Sequence, residues 1–353
     1  MPYSGMLPGV VAGHYDFEDA LIPLSSLADA ARARFVADEI ASVDLEARSV
    51  RLTSGTTLPF DWLSLDVGSV QRAAVAGPHA HAVGIRPIEA FYQAWQRTLA
   101  RGEAIGSLAV VGGGAAGVEI VLAMRYRLLQ RLGPAAPRCA LITDQPALLP
   151  GHARGVRLRL GRTIAASAVS LHLDSRIVAF DGDAVITANQ DRIAAERIFL
   201  ATPAAALPWL AESGLACDEE GFVLVDECLQ SISHPFVFAS GDCASHAGSP
   251  YPKSGLYAVR QGPVLAANLR RYRRDAPLIR FEPPSRALAL LSTGERSAVL
   301  SYGALTAEGS WVWRWKDRID RRFIARYRSV QAVAARGGKR GTTISGNDER
   351  ERP

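Results

Sequence analysis

Lysine is scarce in this chain: of 40 Lys and Arg residues only Lys253, Lys316 and Lys339 are lysines. Cysteine is scarce too. Cys139, Cys217, Cys228 and Cys243 stand far apart, with no Cys-x-x-Cys or Cys-x4-Cys pair. That argues against a zinc site and a local dithiol redox pair, so reduced structural thiols and no metal are expected. No apolar run approaches the ~20 residues a membrane-spanning helix needs. The N-terminus lacks a basic-then-apolar leader, so the expected location is cytoplasmic. There is no internal repeat. No basic–aromatic β platform or recognition-helix motif points to nucleic acid, and none is expected as a partner.

What remains is an ordinary globular composition, 48% hydrophobic and 21% charged over 353 residues. That length allows two domains with proper cores and a small third. The net charge of +5 is uneven, and residues 314–328 (RWKDRIDRRFIARYR) are strongly basic.

The most informative stretch runs from Gly106 to Glu119. Short apolar residues lead into Gly112-x-Gly114-x-x-Gly117, and a long helical pattern follows. Such a turn lets Gly112 bend the chain, Gly114 admit a pyrophosphate and Gly117 pack helix on strand, with the anion at the helix N-terminus. A strand at 107–111, a helix at 115–132 and a strand at 138–142 make a β-α-β unit around it. Asp144, at the end of the second strand, is placed to meet an adenosine ribose, which favours NAD over NADP, or else it only starts the turn before Pro146.

Elsewhere, residues 1–20 read as a loop rich in glycine and proline, and 24–34 as a short helix. Strands are expected at Arg34–Val36, 39–45, 48–53 and 57–65, and a helix at 87–101 with Pro87 as its first residue. A helix is expected at 151–160, a strand near 168–172 and a meander across 175–201. Further strands fall at 222–225, 236–239 and 297–302, and helices at 255–272 and near the basic aromatic segment. Residues 336–353 carry almost no apolar side chains and are expected to be disordered.

A second signature lies downstream. Residues 234–243 end an apolar strand in Ser-Gly241-Asp242, and 251–262 (YPKSGLYAVRQG) open a helix. These stretches resemble the two-dinucleotide-domain flavoproteins of the pyridine nucleotide-disulfide oxidoreductase family. The run 61–69 (DWLSLDVGS) resembles the family's first crossover between domains, and 199–203 (FLATP) its second, with Pro203 where a glycine is usual. Within the family the chain is similar to type II NADH dehydrogenases. It is still more similar to a flavoprotein module associated with selenide, water dikinase, through residues 2–15, 148–157, 254–270 and 311–323.

The resemblance implies an α/β fold of two Rossmann-like three-layer nucleotide-binding domains. A discontinuous FAD domain would occupy 1–102 and 204–280, with an NAD(P)H domain inserted at 103–203. A small α+β interface region at 281–335 and a tail at 336–353 would follow. It implies FAD and NAD(P)H as cofactors. FAD would be held by Gly68, Gly241, Asp242, Gln261 and the N-terminus of the helix from Gly255, with Tyr3 either beside the flavin ring or packing its own loop. Glu119 would position nicotinamide or pass a proton, or simply sit on the helix dipole. Lys253 would lie near flavin or acceptor, or on the surface.

Hydride from NAD(P)H to FAD and on to a small, quinone-like acceptor is the implied reaction, since the cysteine pair of the disulfide reductases is missing. The basic Trp-rich segment 311–328 reads as an amphipathic helix on the sheet, a docking face for a selenium-handling partner, or a peripheral contact with the inner face of a membrane. The family's first strand–Gly-x-Gly–helix unit, which takes the ADP half of FAD, has no counterpart before residue 106. A truncated start is therefore expected, with weak FAD binding. The alternative is a nucleotide-binding or regulatory module without turnover.

Overall fold

The computed structural model describes residues 1–72, 75, 82–248 and 251–338, with side chains as far as residue 329. Among them the α-helices are α1 Leu7–Ala12, α2 Leu24–Ala30, α3 Ile88–Arg101, α4 Ala115–Leu132, α5 Arg154–Ala166, α6 Pro208–Glu212, α7 Gly255–Tyr272 and α8 Ser310–Gly338. None is long and apolar enough to cross a membrane.

The strand Ser107–Val111 is buried at every residue. A strand covered on both faces must be apolar throughout, which is the signature of a parallel sheet. It is the middle of five parallel strands in the spatial order Ala82–Gly84, Arg197–Leu200, Ser107–Val111, Arg138–Ile142, Val169–His172. Side chains alternate between its faces. Leu108, Val110 and Leu141 pack with Val118, Val121 and Leu122 of α4, Val156 and Leu160 of α5, and Phe91 and Trp95 of α3. Ala109, Val111, Ala140 and Ile142 face the other way, onto Val185 and Ile193 of the antiparallel sheet Ile177–Asp181, Ala184–Thr187, Arg192–Ala194. The result is three layers: helices, parallel sheet, antiparallel sheet.

Trp95 shows how the N-terminal segment is tied in. It is fully buried, stands edge-on to Phe199, and its indole N–H donates to the Val11 carbonyl at 3.3 Å. Trp95→Ala is expected to cost about 3–5 kcal/mol. A urea titration should show a lower midpoint at unchanged slope; an unchanged midpoint would mean this contact is dispensable.

A second core gathers around the parallel pairs Leu63–Leu65 with Val237–Ala239 and Val223–Val225 with Ala244–His246. Leu210 of α6 and Leu265 of α7 join it, as do Val43, Val50 and Leu52 of the antiparallel sheet Ile40–Asp44, Ser49–Leu52, Thr57–Pro59. The chain crosses between the two cores repeatedly, two of the crossovers flanking the five-stranded sheet. Those two pair with each other, Val70–Gln71 running antiparallel to Ala204–Ala205. The last region is the meander Leu288–Ser292, Ala298–Tyr302, Leu305–Gly309, with α8 laid across it through Val312.

Several expectations need correction. Residues 1–20 are not a loop, because their breakers have other uses: Pro8 sits in the first turn of α1, Gly9 lies under the Tyr15 ring, and Gly13 caps the helix at φ +78°. Arg34–Val36 pairs with nothing among the described residues, and Phe35 is exposed. The run 57–65 splits at Phe60–Trp62, since Thr57–Pro59 turns back onto Ser49–Leu52 while Leu63–Leu65 leaves for the second core. The helix placed at 151–160 starts only at Arg154, after positive φ values at Leu149 and Gly151. Pro87 is the N-cap of α3 and not its first residue. The meander at 175–201 hid the parallel strand Arg197–Leu200. The helical backbone of α8 reaches Gly338, into the segment expected to be disordered, and 339–353 lie outside the described residues.

Candidate active site

The glycine turn closes the C-terminal end of the central strand. Gly112 has φ +127°, and a Cβ there would sit 2.3 Å from the Ala201 carbonyl oxygen. A Cβ on Gly117 would lie 1.9 Å from the Gly112 carbonyl oxygen, so helix and turn touch backbone to backbone. Gly114 differs. It is the N-cap of α4 with ordinary dihedrals (φ −75°, ψ −179°), makes no side-chain cap, and has open space where a Cβ would stand. The first turn of α4 carries no acid. Free amides, an unopposed helix dipole and empty space beside Gly114 fit a phosphate. Asp144 is exposed just past the second strand and accepts from the neighbouring Gln145 amide at 3.1 Å. The set fits a dinucleotide.

The second signature folds into a tight polar knot. Gly241 has φ +67°, and its N–H donates to Gln261 Oε1 at 2.7 Å. Gln261, on α7, is almost fully buried and also donates to the Tyr251 hydroxyl. The knot therefore fixes α7 against the Gly241–Cys243 turn. Asp242 Oδ2 lies 3.0 Å from Arg86 Nη1 and accepts from the Ser69 hydroxyl at 3.4 Å. Gly68, just before Ser69, has φ +68° and nothing within 4 Å of a Cβ. The N-cap of α7, Ser254, makes no side-chain cap either. Open space at Gly68, the largely buried Asp242 carboxylate and an uncapped helix end fit the flavin and ribityl end of FAD. The sequence holds no second Gly-x-Gly-x-x-Gly for its ADP end.

A cavity of about 310 Å³ joins the two signatures. Ala116, one residue before Gly117, lines it together with Arg86, Gln71, Thr202 and Lys253. Lys253 is half-buried, with Nζ 4.0 Å above the Phe222 ring and bonded to the Ala244 carbonyl. Burial lowers its pKa, against the pull of Asp218 and Asp242. Pro203, at the second crossover, uses its carbonyl to accept from Arg72 N–H at 3.0 Å.

Glu119 faces the C-terminal region. Its Oε1 accepts from the Ser292 backbone N–H at 2.7 Å. Burial raises its pKa to about 6, opposed by Lys316 and the Ser292 bond. Lys316 on α8 donates to Asp320 Oδ2 at 2.6 Å and to the Gly5 carbonyl at 2.5 Å. Asp320 is 4% exposed, accepts from the Tyr3 hydroxyl at 3.3 Å, and burial raises its pKa. Tyr3 packs on Phe323 and is raised by burial and by Asp320. A Cβ on Gly255, the first residue of α7, would stand 3.6 Å from the Ser4 hydroxyl. Lys316, Asp320 and Tyr3 thus form one hydrogen-bonded chain beside the start of α7, with Glu119 within reach of the Lys316 charge.

The structure brings Gly112, Gly114, Gly117 and Asp144 together on one side and Gly68, Gly241, Asp242 and Gln261 on the other. Lys253 lies in the cavity between them, while Glu119 and Tyr3 share a separate cluster. Sequence reasoning missed Arg86, Ser292, Lys316 and Asp320. Lys316 did leave a signal: it is one of only three lysines in an arginine-rich chain. The buried thiols are inert, since burial pushes Cys139 up to about 12 and Cys243 up to about 11, leaving no thiolate at neutral pH.

The sequence profile of the family described as pyridine nucleotide-disulphide oxidoreductase matches residues 1–262. An NADH dehydrogenase-like protein of Mycobacterium tuberculosis is 25% identical over 324 residues, 88% of this chain and 81% of its own. Human ferroptosis suppressor protein 1 is 26% identical over 279 residues, 74% of this chain and 69% of its own. Among solved structures, the sulfide:quinone oxidoreductase of Aquifex aeolicus superposes with a TM-score of 0.78 at 19% identity, covering 93% of this chain and 83% of that one.

Proposed function

This chain belongs to the pyridine nucleotide-disulphide oxidoreductase family, and on that premise we propose that it passes reducing equivalents from NADH through FAD to a quinone-like acceptor at a membrane surface. Membership makes it an FAD-dependent NAD(P)H oxidoreductase; the donor's identity, the acceptor and the membrane are our reading.

Gly112, Gly114 and Gly117 hold the donor's pyrophosphate on α4, and the exposed carboxylate of Asp144 takes the ribose and repels a 2′-phosphate. Gly68, Gly241, Asp242 and Gln261 with the start of α7 hold FAD. When bound, FAD accepts hydride and hands on its electrons, chemistry that belongs to the cofactor. Lys253 and Arg86 place positive charge in the cavity between the two nucleotide sites.

The observation that carries the acceptor assignment is the buried cluster around Glu119. Reducing a quinone to a quinol takes two electrons and two protons. Hydride supplies both electrons and one proton, so the protein or water must deliver the other. A carboxyl with a pKa of about 6 is protonated often enough to give a proton and basic enough to be refilled. Lys316, whose charge acts on Glu119 without a direct hydrogen bond, leads on through Asp320 to Tyr3 by hydrogen bonds.

The membrane reading rests on α8. Trp311, Trp315 and Ile319 are exposed by 49%, 40% and 40% at four-residue spacing, which puts them on one face. Arg314, Arg318 and Arg322 are exposed beside them. Apolar side chains rimmed by cations suit an anionic lipid surface. The test is NADH-driven reduction of a long-chain quinone carried in vesicles by the FAD-loaded protein. Anionic vesicles should support turnover, and Trp311→Ala with Trp315→Ala should abolish most of it while sparing a short, water-soluble quinone. A protein reduced by NADH that turns over neither quinone would defeat the acceptor assignment.

A further inference from the structure

A cleft of about 550 Å³ lies apart from both nucleotide sites, between α4, α5 and the C-terminal meander. Arg125 from α4 and Arg159 and Arg162 from α5 line it, with hydroxyls from Thr163, Ser167, Thr293 and Ser297. The arginines are held in different degrees. Arg125 is anchored by its Nε on the Ser167 carbonyl and its Nη1 on the Pro137 carbonyl, both at 3.1 Å. Arg159 Nε donates to Thr306 Oγ1 at 3.3 Å. The carboxylate of Glu308 stands 3.7 Å from Arg159 Nη1 and 4.0 Å from Arg162 Nη2. At those separations it attracts both guanidiniums without a direct hydrogen bond to either. Glu295 is the other acid in the lining, so three cations meet two anions there.

We propose that this cleft is a second small-molecule site, built for a phosphorylated compound carrying two or more negative charges. Guanidinium forks bind phosphate oxygens through paired donors; the Thr163, Ser167 and Thr293 hydroxyls already donate to backbone carbonyls, so the arginines carry the recognition. The volume falls in the range of metabolite-sized sites and exceeds what a single inorganic ion fills. One wall of the site is packed tightly. Gly294, in the hairpin that walls it, is pressed so close to α4 that a Cβ would sit 2.4 Å from the Leu122 carbonyl oxygen. Ser292, whose N–H holds Glu119, begins the same hairpin. None of the glycines of the nicotinamide turn lines the cleft.

The test is calorimetric titration of inorganic pyrophosphate into the FAD-loaded full chain already saturated with NAD⁺, which fills the glycine turn. Wild type should bind pyrophosphate at one saturable site. Arg162→Gln, at a mostly exposed side chain whose loss leaves the fold intact, should weaken that binding about tenfold, as loss of one charge-assisted bond does. Its NAD⁺ affinity should not change. Pyrophosphate binding that NAD⁺ eliminates, that Arg162→Gln leaves untouched, or that is absent altogether would overturn the proposal.

Discussion

Gly114→Asp is expected to leave the chain folded and to end its use of nicotinamide nucleotides. The backbone at Gly114 is extended, and a Cβ would meet nothing within 4 Å. An aspartate there even makes a favourable N-cap for α4, so stability should change by no more than about 1 kcal/mol. The same side chain would fill the space open to a pyrophosphate and set a negative charge against it, at the end of the helix dipole. Losing the phosphate's amide contacts and adding that repulsion should lower NADH affinity at least ~100-fold. Gly117→Ala makes the informative contrast. Its methyl would stand 1.9 Å from the Gly112 carbonyl oxygen, so the helix must shift and stability falls, by more than the ~1–3 kcal/mol of ordinary overpacking. Thermal unfolding and NADH titration on both variants separate the two effects. Gly114→Asp that still binds NADH as well as wild type would place the nucleotide elsewhere.

Glu119→Gln is expected to slow transfer to the acceptor about 100-fold, at the low end of what a lost general acid costs. Oxidation of NADH should be little changed. In wild type the acceptor step should fall as pH rises through about 6, because only the protonated carboxyl can donate. The variant should be flat across that range. Stability moves in the same direction. The folded-state pKa is raised above 4.5 by burial, so the contribution of this group is full below pH 4.5 and is lost as pH rises through about 6. A difference of that size is worth about 2 kcal/mol. Glutamine keeps an oxygen for the Ser292 N–H but cannot ionise, so at pH 8 the variant should be more stable than wild type by up to about 2 kcal/mol. Chemical denaturation at pH 4.5 and 8, with the two half-reactions followed separately, tests both claims. A variant equal to wild type in acceptor transfer would leave Glu119 a purely structural acid.

The parts legible in the sequence are those that local chemistry specifies. The strand at 107–111, the helix at 115–132 and the strand at 138–142 fall where the periodicity and glycines put them, because a β-α-β unit of this kind is written in contiguous residues. Gln261 and Asp242 were singled out by the resemblance of one turn and one helix, and the structure places both at the Gly241 turn. Illegible were contacts across the chain. Glu119 meets Ser292 across 173 residues, and Lys316 meets Gly5 across 311. No spacing rule reaches that far. The short strand Leu63–Leu65 has no period to read, and its partner is Val237–Ala239. The N-terminal helix was missed because Pro8, Gly9 and Gly13 look alike as breakers until a helix start, a ring contact and a cap tell them apart.

The central claim is that one chain joins a nicotinamide site to a flavin site and empties the flavin into a quinone. The most direct measurement is an anaerobic titration of the FAD-loaded protein, followed by its visible flavin absorbance. NADH should bleach the flavin in stoichiometric amount, and a soluble quinone added afterwards should restore it. Flavin that NADH fails to bleach, or that stays bleached in the presence of quinone, would contradict the account.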